Sequence, residues 1–258
     1  MNLDLNEKKV LITASVSGIG KATGMAFLEE GAKVMFNGRN RNRLDALTNE
    51  LSEKYGSDKV FAVCGDVTEP DTIAEIKSEV QSKWGGLDIL IPCSGTGKAL
   101  SDDRLDGQEW DYMMRNNIYP SVNLIREMLP LMKAGSDPNI VLISSVVAVN
   151  KAAAPVAYAA AKGAILTLNA YMSDMYSDNG VRINAVVPGN IYFEGGRWEE
   201  LEKNDYSGTR EYIDLNVPMK RFGTPEEIGD TIVFLASNRS SFTNGAVITI
   251  DGGQNRSI

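Results

Sequence analysis

The sequence predicts one α/β domain in three layers: a doubly wound, seven-stranded parallel sheet between two layers of helices. Three observations predict it. Seven short apolar segments alternate with amphipathic or alanine-rich stretches of helical length, and such alternation builds parallel sheets with right-handed crossovers. A glycine-bearing turn joins the first apolar segment to the first helical stretch. The 258 residues contain no Pro- or Ser-rich linker, repeat or low-complexity run, and a chain of that size buries a large single core.

The strands are expected near Val10–Thr13, Val34–Asn37, Val60–Val63, Ile89–Ile91, Ile140–Ser144, Arg182–Val187 and Ala246–Ile250. Each is a short, nearly continuous apolar run, the pattern of a strand covered on both faces. The first runs into Ala14-Ser15-Val16-Ser17-Gly18-Ile19-Gly20 and then a helical stretch through Glu30. Glycines in a first βα turn let the backbone approach a pyrophosphate, which rests on the helix N-terminus. The second strand ends in Asn37-Gly38-Arg39, with Arg41 and Arg43 following. An acid at such a strand end would bond the ribose 2′-hydroxyl of NAD, whereas an arginine accommodates the 2′-phosphate of NADP. Nothing here repels a phosphate, and Arg39 can clamp one bidentately or stack on adenine. The sequence therefore favours NADP(H) over NAD(H).

Ser145 follows the fifth apolar run, Tyr158 lies thirteen residues on and Lys162 four further. The stretch from Tyr158 is alanine-rich and reads as a helix, with Pro155 tolerated at its start. Residues four apart share a helical face, so Tyr158 and Lys162 point the same way. A phenol titrates near ~10, and a neighbouring ammonium would lower that value toward working pH. Ser145 would sit at the carboxyl end of its strand, where open α/β sheets bind ligands.

These motifs, in this order and over essentially the whole chain, resemble the short-chain dehydrogenase/reductase family. The family's Thr-Gly-x3-Gly-x-Gly corresponds to Thr13 through Gly20, and its Tyr-x3-Lys to Tyr158 and Lys162. Its serine corresponds to Ser145 and its helix asparagine to Asn117. Asp66-Val67 resembles the adenine-contacting pair, Pro188-Gly189 the turn beside the nicotinamide, and Asp251-Gly252-Gly253 the C-terminal signature. The 3-oxoacyl-[acyl-carrier-protein] reductases are among the members it resembles. The resemblance implies a Rossmann fold with a cofactor half (about 1–145) and a catalytic and substrate half (about 146–258) carrying a lid near 189–217.

On that resemblance the cofactor would meet Thr13, Ser15, Ser17, Gly18, Ile19 and Gly20 in the first turn. It would then meet Asn37, Gly38 and Arg39, Asp66 and Val67, Ser94 and Gly95, Pro188, Gly189 and Ile191, together with Tyr158 and Lys162. Gly38 stands where the family's NAD-selecting acid would be. Tyr158 would be the acid/base, Ser145 would hold the substrate carbonyl, and Lys162 would bond the nicotinamide ribose. Asn117 would hold a water that resupplies protons. Asn116 competes with Asn117, and Ser144 with Ser145; helix alignment and spacing favour Asn117 and Ser145. Two departures stand out. Ala14 replaces the family's first glycine and resists positive φ, so the turn should avoid that region or be strained. Pro92-Cys93-Ser94-Gly95 replaces an Asn-Asn-Ala-Gly that stitches the central sheet.

In the lid, Tyr192, Phe193 and Trp198 either contact a substrate or pack the lid on the body, and Gly195-Gly196 offers a hinge. Arg197 could pair a substrate anion, and the Glu199, Glu200, Glu202 and Lys203 run reads as a solvated helix face. The resemblance also implies a homotetramer or homodimer, built on segments near Gly107–Met132, Val156–Ser177 and Pro225–Ile250.

Composition narrows the function. The chain has no histidine, which excludes a His-based triad and a His metal site. Its two cysteines, Cys64 and Cys93, have no metal-ligand spacing; Cys64 reads as core packing, and Cys93 lies in the loop after the fourth strand. A net charge of −8 argues against nucleic acid or an anionic membrane as partner. The polar start is no signal peptide and no apolar run reaches ~20 residues, so a cytoplasmic protein is expected. The leading reading is an NADP(H)-dependent oxidoreductase that reduces a small-molecule carbonyl to an alcohol. An NAD(H)-dependent alcohol dehydrogenase of the same fold, and a cofactor-binding regulatory protein without chemistry, are the alternatives.

Overall fold

The computed structural model describes residues 2–100, 105–133, 135–151 and 154–255. Seven strands form one parallel sheet: β1 Lys9–Ile12, β2 Lys33–Gly38, β3 Val60–Cys64, β4 Ile89–Ile91, β5 Asn139–Ile143, β6 Arg182–Pro188 and β7 Val247–Ile250. Their order is β3-β2-β1-β4-β5-β6-β7. Winding reverses between β1 and β4, and a crevice opens at the carboxyl ends there. All seven expected strands are present, shifted by at most a residue or so at their ends.

Pleating assigns side chains to two cores. Val10 and Ile12 of β1 join Phe36, Ile91 and Val141 on one face, against α1 (Gly18–Glu29), α2 (Arg41–Tyr55) and α9 (Pro225–Ala236). Leu11 faces the other way with Met35, Leu90 and Leu142, against α3 (Pro70–Trp84), α5 (Tyr119–Met132) and α6 (Val156–Met175). This period-2 division of apolar strands between two covered faces is the three-layer sandwich itself. Between α3 and α6 the chain also forms α4 (Gly107–Asn117), and beyond β6 it forms α7 (Arg197–Asn204) and α8 (Tyr206–Asn216). The stretch Gly107–Met132, expected as one segment, is two helices. Pro120 opens α5 after the break at Ile118, because its ring fixes φ and suits a first turn rather than an interior. No helix among the described residues is long and apolar enough to cross a membrane.

The ends of the central strands are stitched without the asparagine expected after β4. The buried Asn37 donates from Nδ2 to Val63 O at 3.0 Å and Gly65 O at 3.1 Å, and its Oδ1 accepts from Ala14 N at 3.3 Å. Ser15 Oγ donates to Ile12 O at 2.9 Å and accepts from Asn37 N at 3.0 Å. Thr13 Oγ1 accepts from Cys93 N at 3.1 Å, which ties β4 to β1. Thr13, Ser15 and Asn37, expected at the cofactor, thus act as structural ties between the strand ends. An Asn37→Ala variant would strand two buried carbonyls, and unsatisfied buried groups cost about 1–3 kcal/mol each. Urea unfolding should show about 2–4 kcal/mol of lost stability at unchanged m; a loss within error would mean the tie is dispensable.

Candidate active site

The carboxyl end of β5 and the first turns of α6 build the centre of the site. Pro155 precedes α6 and its alanines follow, so the helix begins where Tyr158 and Lys162 face the sheet. Lys162 is only 5% exposed. Its Nζ donates to Ile143 O, the last residue of β5, at 3.0 Å, and burial pulls its pKa down to about 8. The Tyr158 phenol hydrogen-bonds Ser145, yet burial pushes it above the ordinary phenol value. The lowering expected from Lys162 is not what the geometry gives. Lys162 Nζ lies 5.9 Å from the centre of the Tyr158 ring and is bound to a carbonyl instead, so desolvation decides.

The two serines separate by their bonds. Ser144 is buried and donates to Lys162 O at 2.8 Å, pinning α6 to the strand. Ser145 is left to face the cleft beside Tyr158. The two asparagines separate similarly. Asn116 bonds Tyr112 O of its own helix at 2.8 Å. Asn117 is fully buried; it accepts from Thr96 N at 2.9 Å and donates to Thr96 O and Met113 O, each at 3.0 Å. Its carboxamide thus holds the loop after β4, and one lone pair of Oδ1 remains beyond the bond from Thr96 N.

The first βα turn is a cradle under tension. Ala14 has φ +48°, a conformation L side chains rarely adopt, so the strained alternative is the one realised. Ser17 ends the turn in extended geometry and makes no side-chain cap on α1, which leaves the first N–H groups of the helix available to an anion. A Cβ at Gly20 would stand 2.8 Å from Ala14 O, and one at Gly95 would stand 2.8 Å from Asn117 Oδ1. Ser94 Oγ is buried without a partner among the described residues. A cradle that no Cβ could enter, uncapped helix amides and an orphan hydroxyl fit a dinucleotide.

Ser17, Ile19, Gly20, Gly95, Tyr158, Lys162, Pro188, Gly189 and Ile191 line this cleft as expected. Val67 is buried in the core. Arg39, just past the end of β2 at Gly38, is 76% exposed by its side chain and pairs with Asp66 at 3.4 Å; none of the three lines this cleft. Cys93 also lines the cleft, but burial pushes its thiol up to about 11, so it stays neutral and packs as a small apolar residue. Thr96, Gly97, Phe193 and Trp198 line it too. The loop after β4 departs from the pattern, so nothing in the sequence singled out Thr96 or Gly97.

A second cleft of about 640 Å³ opens from the first at Ser145, Tyr158, Gly189 and Trp198. Val146, Val147 and Pro155 form one side; Asn190, Leu201, Thr209 and Tyr212 lie on others. The lid aromatics divide. Tyr192 packs on Phe222, just beyond the lid, with ring centroids 5.4 Å apart. Phe193 lies over the phosphate cradle, its Cζ 2.8 Å from where a Gly18 Cβ would be. Trp198 stacks on Tyr212 with centroids 5.3 Å apart and walls both clefts. Arg197 is half exposed and bound to Glu200 at 3.0 Å, and Glu200 also accepts from Lys98 at 3.2 Å.

Because the folded chain holds Lys162 near 8 while an unfolded lysine titrates near ~10.4, the unfolded state binds the extra proton between those values. Stability of the wild type relative to Lys162→Met should therefore rise with pH across that window and be flat below it. Parallel denaturant titrations of the two proteins check this; a difference independent of pH would refute the buried-ammonium account.

Comparison with known proteins agrees with the geometry. The profile described as enoyl-(acyl carrier protein) reductase matches residues 13–255. The chain is 34% identical to the 3-oxoacyl-[acyl-carrier-protein] reductase FabG of Thermotoga maritima, over 96% of this chain and 98% of that one. It is 33% identical to the uncharacterized oxidoreductase YvrD of Bacillus subtilis, over the full length of both. The L-sorbose reductase of Gluconobacter frateurii, solved with NADPH and L-sorbose, superposes with a TM-score of 0.92 at 29% identity, covering 100% of each chain. With its seven-stranded sheet, first-turn cradle and Ser/Tyr/Lys constellation, the chain belongs to the short-chain dehydrogenase/reductase family of oxidoreductases.

Proposed function

We propose that the protein is an NADP(H)-dependent reductase that converts a small-molecule carbonyl to an alcohol. One observation carries the reading: Tyr158, bonded to Ser145 and beside the buried Lys162, stands where the cofactor cleft opens into the second cleft. The nicotinamide supplies hydride chemistry when bound. Ser145 holds the substrate oxygen, and Tyr158 donates a proton to it as negative charge develops. A phenol kept protonated by burial is in the form that a reduction needs. Lys162 would bond the nicotinamide ribose and relay a new proton from solvent to Tyr158 after each turnover. Asn117 serves by fixing the loop that closes over Lys162. Arg39 selects the 2′-phosphate, in keeping with the NADPH of the structural relative.

The second reading is an NAD(H)-dependent alcohol dehydrogenase. It is favoured by the Arg39–Asp66 pair, which must open before Arg39 can take a phosphate. The protein is further proposed to be cytoplasmic and to assemble as a homotetramer or homodimer. Tyr171 and Met175 on α6, Tyr119 and Val122 on α5, and Phe242 and Val247 at the β7 edge are exposed and supply apolar surface for it.

Tyr158→Phe should bind NADPH as the wild type does and lose about 10²–10⁴-fold in turnover; near-normal turnover would remove Tyr158 from the mechanism. Fluorescence titration should show a preference for NADPH over NADH of about tenfold or more, roughly 1.4 kcal/mol, that Arg39→Ala abolishes. Equal or tighter NADH binding would favour the dehydrogenase reading.

A further inference from the structure

The C-terminal Asp251-Gly252-Gly253 turn delivers a side chain to the back of two residues, Asn190 and Tyr212, that line the second cleft. Gly252 and Gly253 have φ of +63° and +84°, which only glycine adopts freely. The Asp251 carboxylate accepts from Gly253 N at 2.9 Å and from Asn255 N at 2.5 Å. The turn thereby points Gln254 inward, where it is 4% exposed. Asn150 Nδ2 fixes its main-chain oxygen at 3.1 Å.

Gln254 then joins two walls of the cleft. Its Oε1 accepts from Asn190 Nδ2 at 3.0 Å, and its Nε2 donates to Tyr212 Oη at 3.4 Å. Asn190 and Tyr212 both line the cleft. The polarity of these bonds matters more than their strength. A Tyr212 oxygen that accepts from Gln254 keeps its own hydrogen to donate. An Asn190 whose NH₂ is committed to Gln254 offers its carbonyl oxygen. The cleft therefore has one fixed donor and one fixed acceptor beyond the reacting centre, the pair that a hydroxyl group satisfies. Two further features suit hydroxylated ligands. Asp205, the N-cap of α8, and Thr209 and Tyr212 on that helix give the cleft polar lining, and Trp198 supplies a ring against which a C–H face can stack.

We infer that Gln254 is a positioning residue that makes the cleft selective for polyhydroxylated carbonyl compounds by fixing Tyr212 as donor and Asn190 as acceptor. The inference rests on the reductase reading. A site that has paired its polar groups for a substrate hydroxyl rejects an analogue lacking it, because those groups are then left unpaired.

The test is NADPH-dependent reduction of a panel of D- and L-2-ketohexoses against 2-hexanone. The wild type should favour at least one ketohexose by about tenfold or more in kcat/KM. Gln254→Glu keeps size and packing but reverses the bond, because a carboxylate makes the Tyr212 hydroxyl its donor. It should raise KM for that ketohexose about tenfold, with kcat changed far less and 2-hexanone unaffected. Tyr212→Phe should reproduce this, whereas Gln254→Leu should additionally lower the unfolding midpoint. A Gln254→Glu protein that keeps the ketohexose preference, or that loses both substrates equally, overturns the inference. A wild type that reduces 2-hexanone in a Tyr158-dependent way but no ketohexose also overturns it, and leaves the reductase reading standing. A wild type that reduces neither overturns both.

Discussion

Burial of the Lys162 ammonium at the carboxyl end of β5 is the constraint on which the site depends. A buried cation with few partners is expensive, and this one is tolerated because the sheet presents the Ile143 carbonyl to it and Ser144 anchors the main chain of α6 beside it. Those two bonds set the height of α6 against β5. That height places Tyr158, four residues earlier, next to Ser145 at the end of the same strand. The low dielectric that depresses Lys162 also raises Tyr158. Acid and cation are tuned by one environment rather than by each other, and each is held nearer its neutral form.

Around that centre the chain solves a second problem with unusual residues. The central strand ends must be tied while the backbone stays open to a pyrophosphate. Thr13, Ser15 and Asn37 provide the ties, so the loop after β4 can carry Pro92 and Cys93 where an amide stitch was expected. The cost appears at Ala14, held at positive φ by its bond to Asn37. Phe193 rests over the same turn, so the lid and the phosphate cradle are in contact. The segment that walls the second cleft, through Trp198, therefore begins beside the first.

The layering, the positions of the seven strands and the shared helical face of Tyr158 and Lys162 were legible because they depend on local periodicity: apolar runs of strand length and a four-residue helical spacing. Spacing favoured Ser145 over Ser144, and the two differ in their bonds: Ser144 donates to Lys162 O while Ser145 bonds Tyr158. What the sequence misjudged were effects of burial and of long-range pairing. Proximity to a lysine suggested a lowered phenol, but the direction is decided by desolvation, which no spacing reveals. Asn37 was expected at the cofactor and Asn117 at a water; that their amides also tie loops through Val63, Gly65 and Thr96 depends on pairings distant in sequence. The lid expected near 189–217 contains α8, but its cleft-lining Thr209 and Tyr212, and Gln254 behind them, were not singled out, since polar residues look solvated until the fold turns them inward.

The most direct test of this account is the ionisation of Tyr158 itself. With tyrosine labelled at the ring carbon bearing the oxygen, the signal absent from Tyr158→Phe can be titrated by NMR in the cofactor-free protein. The account predicts a midpoint above the ordinary phenol value of ~10, because burial outweighs a lysine engaged elsewhere. A midpoint below that value would show that Lys162 governs the phenol directly, and would contradict the claim that a shared desolvated environment tunes the site.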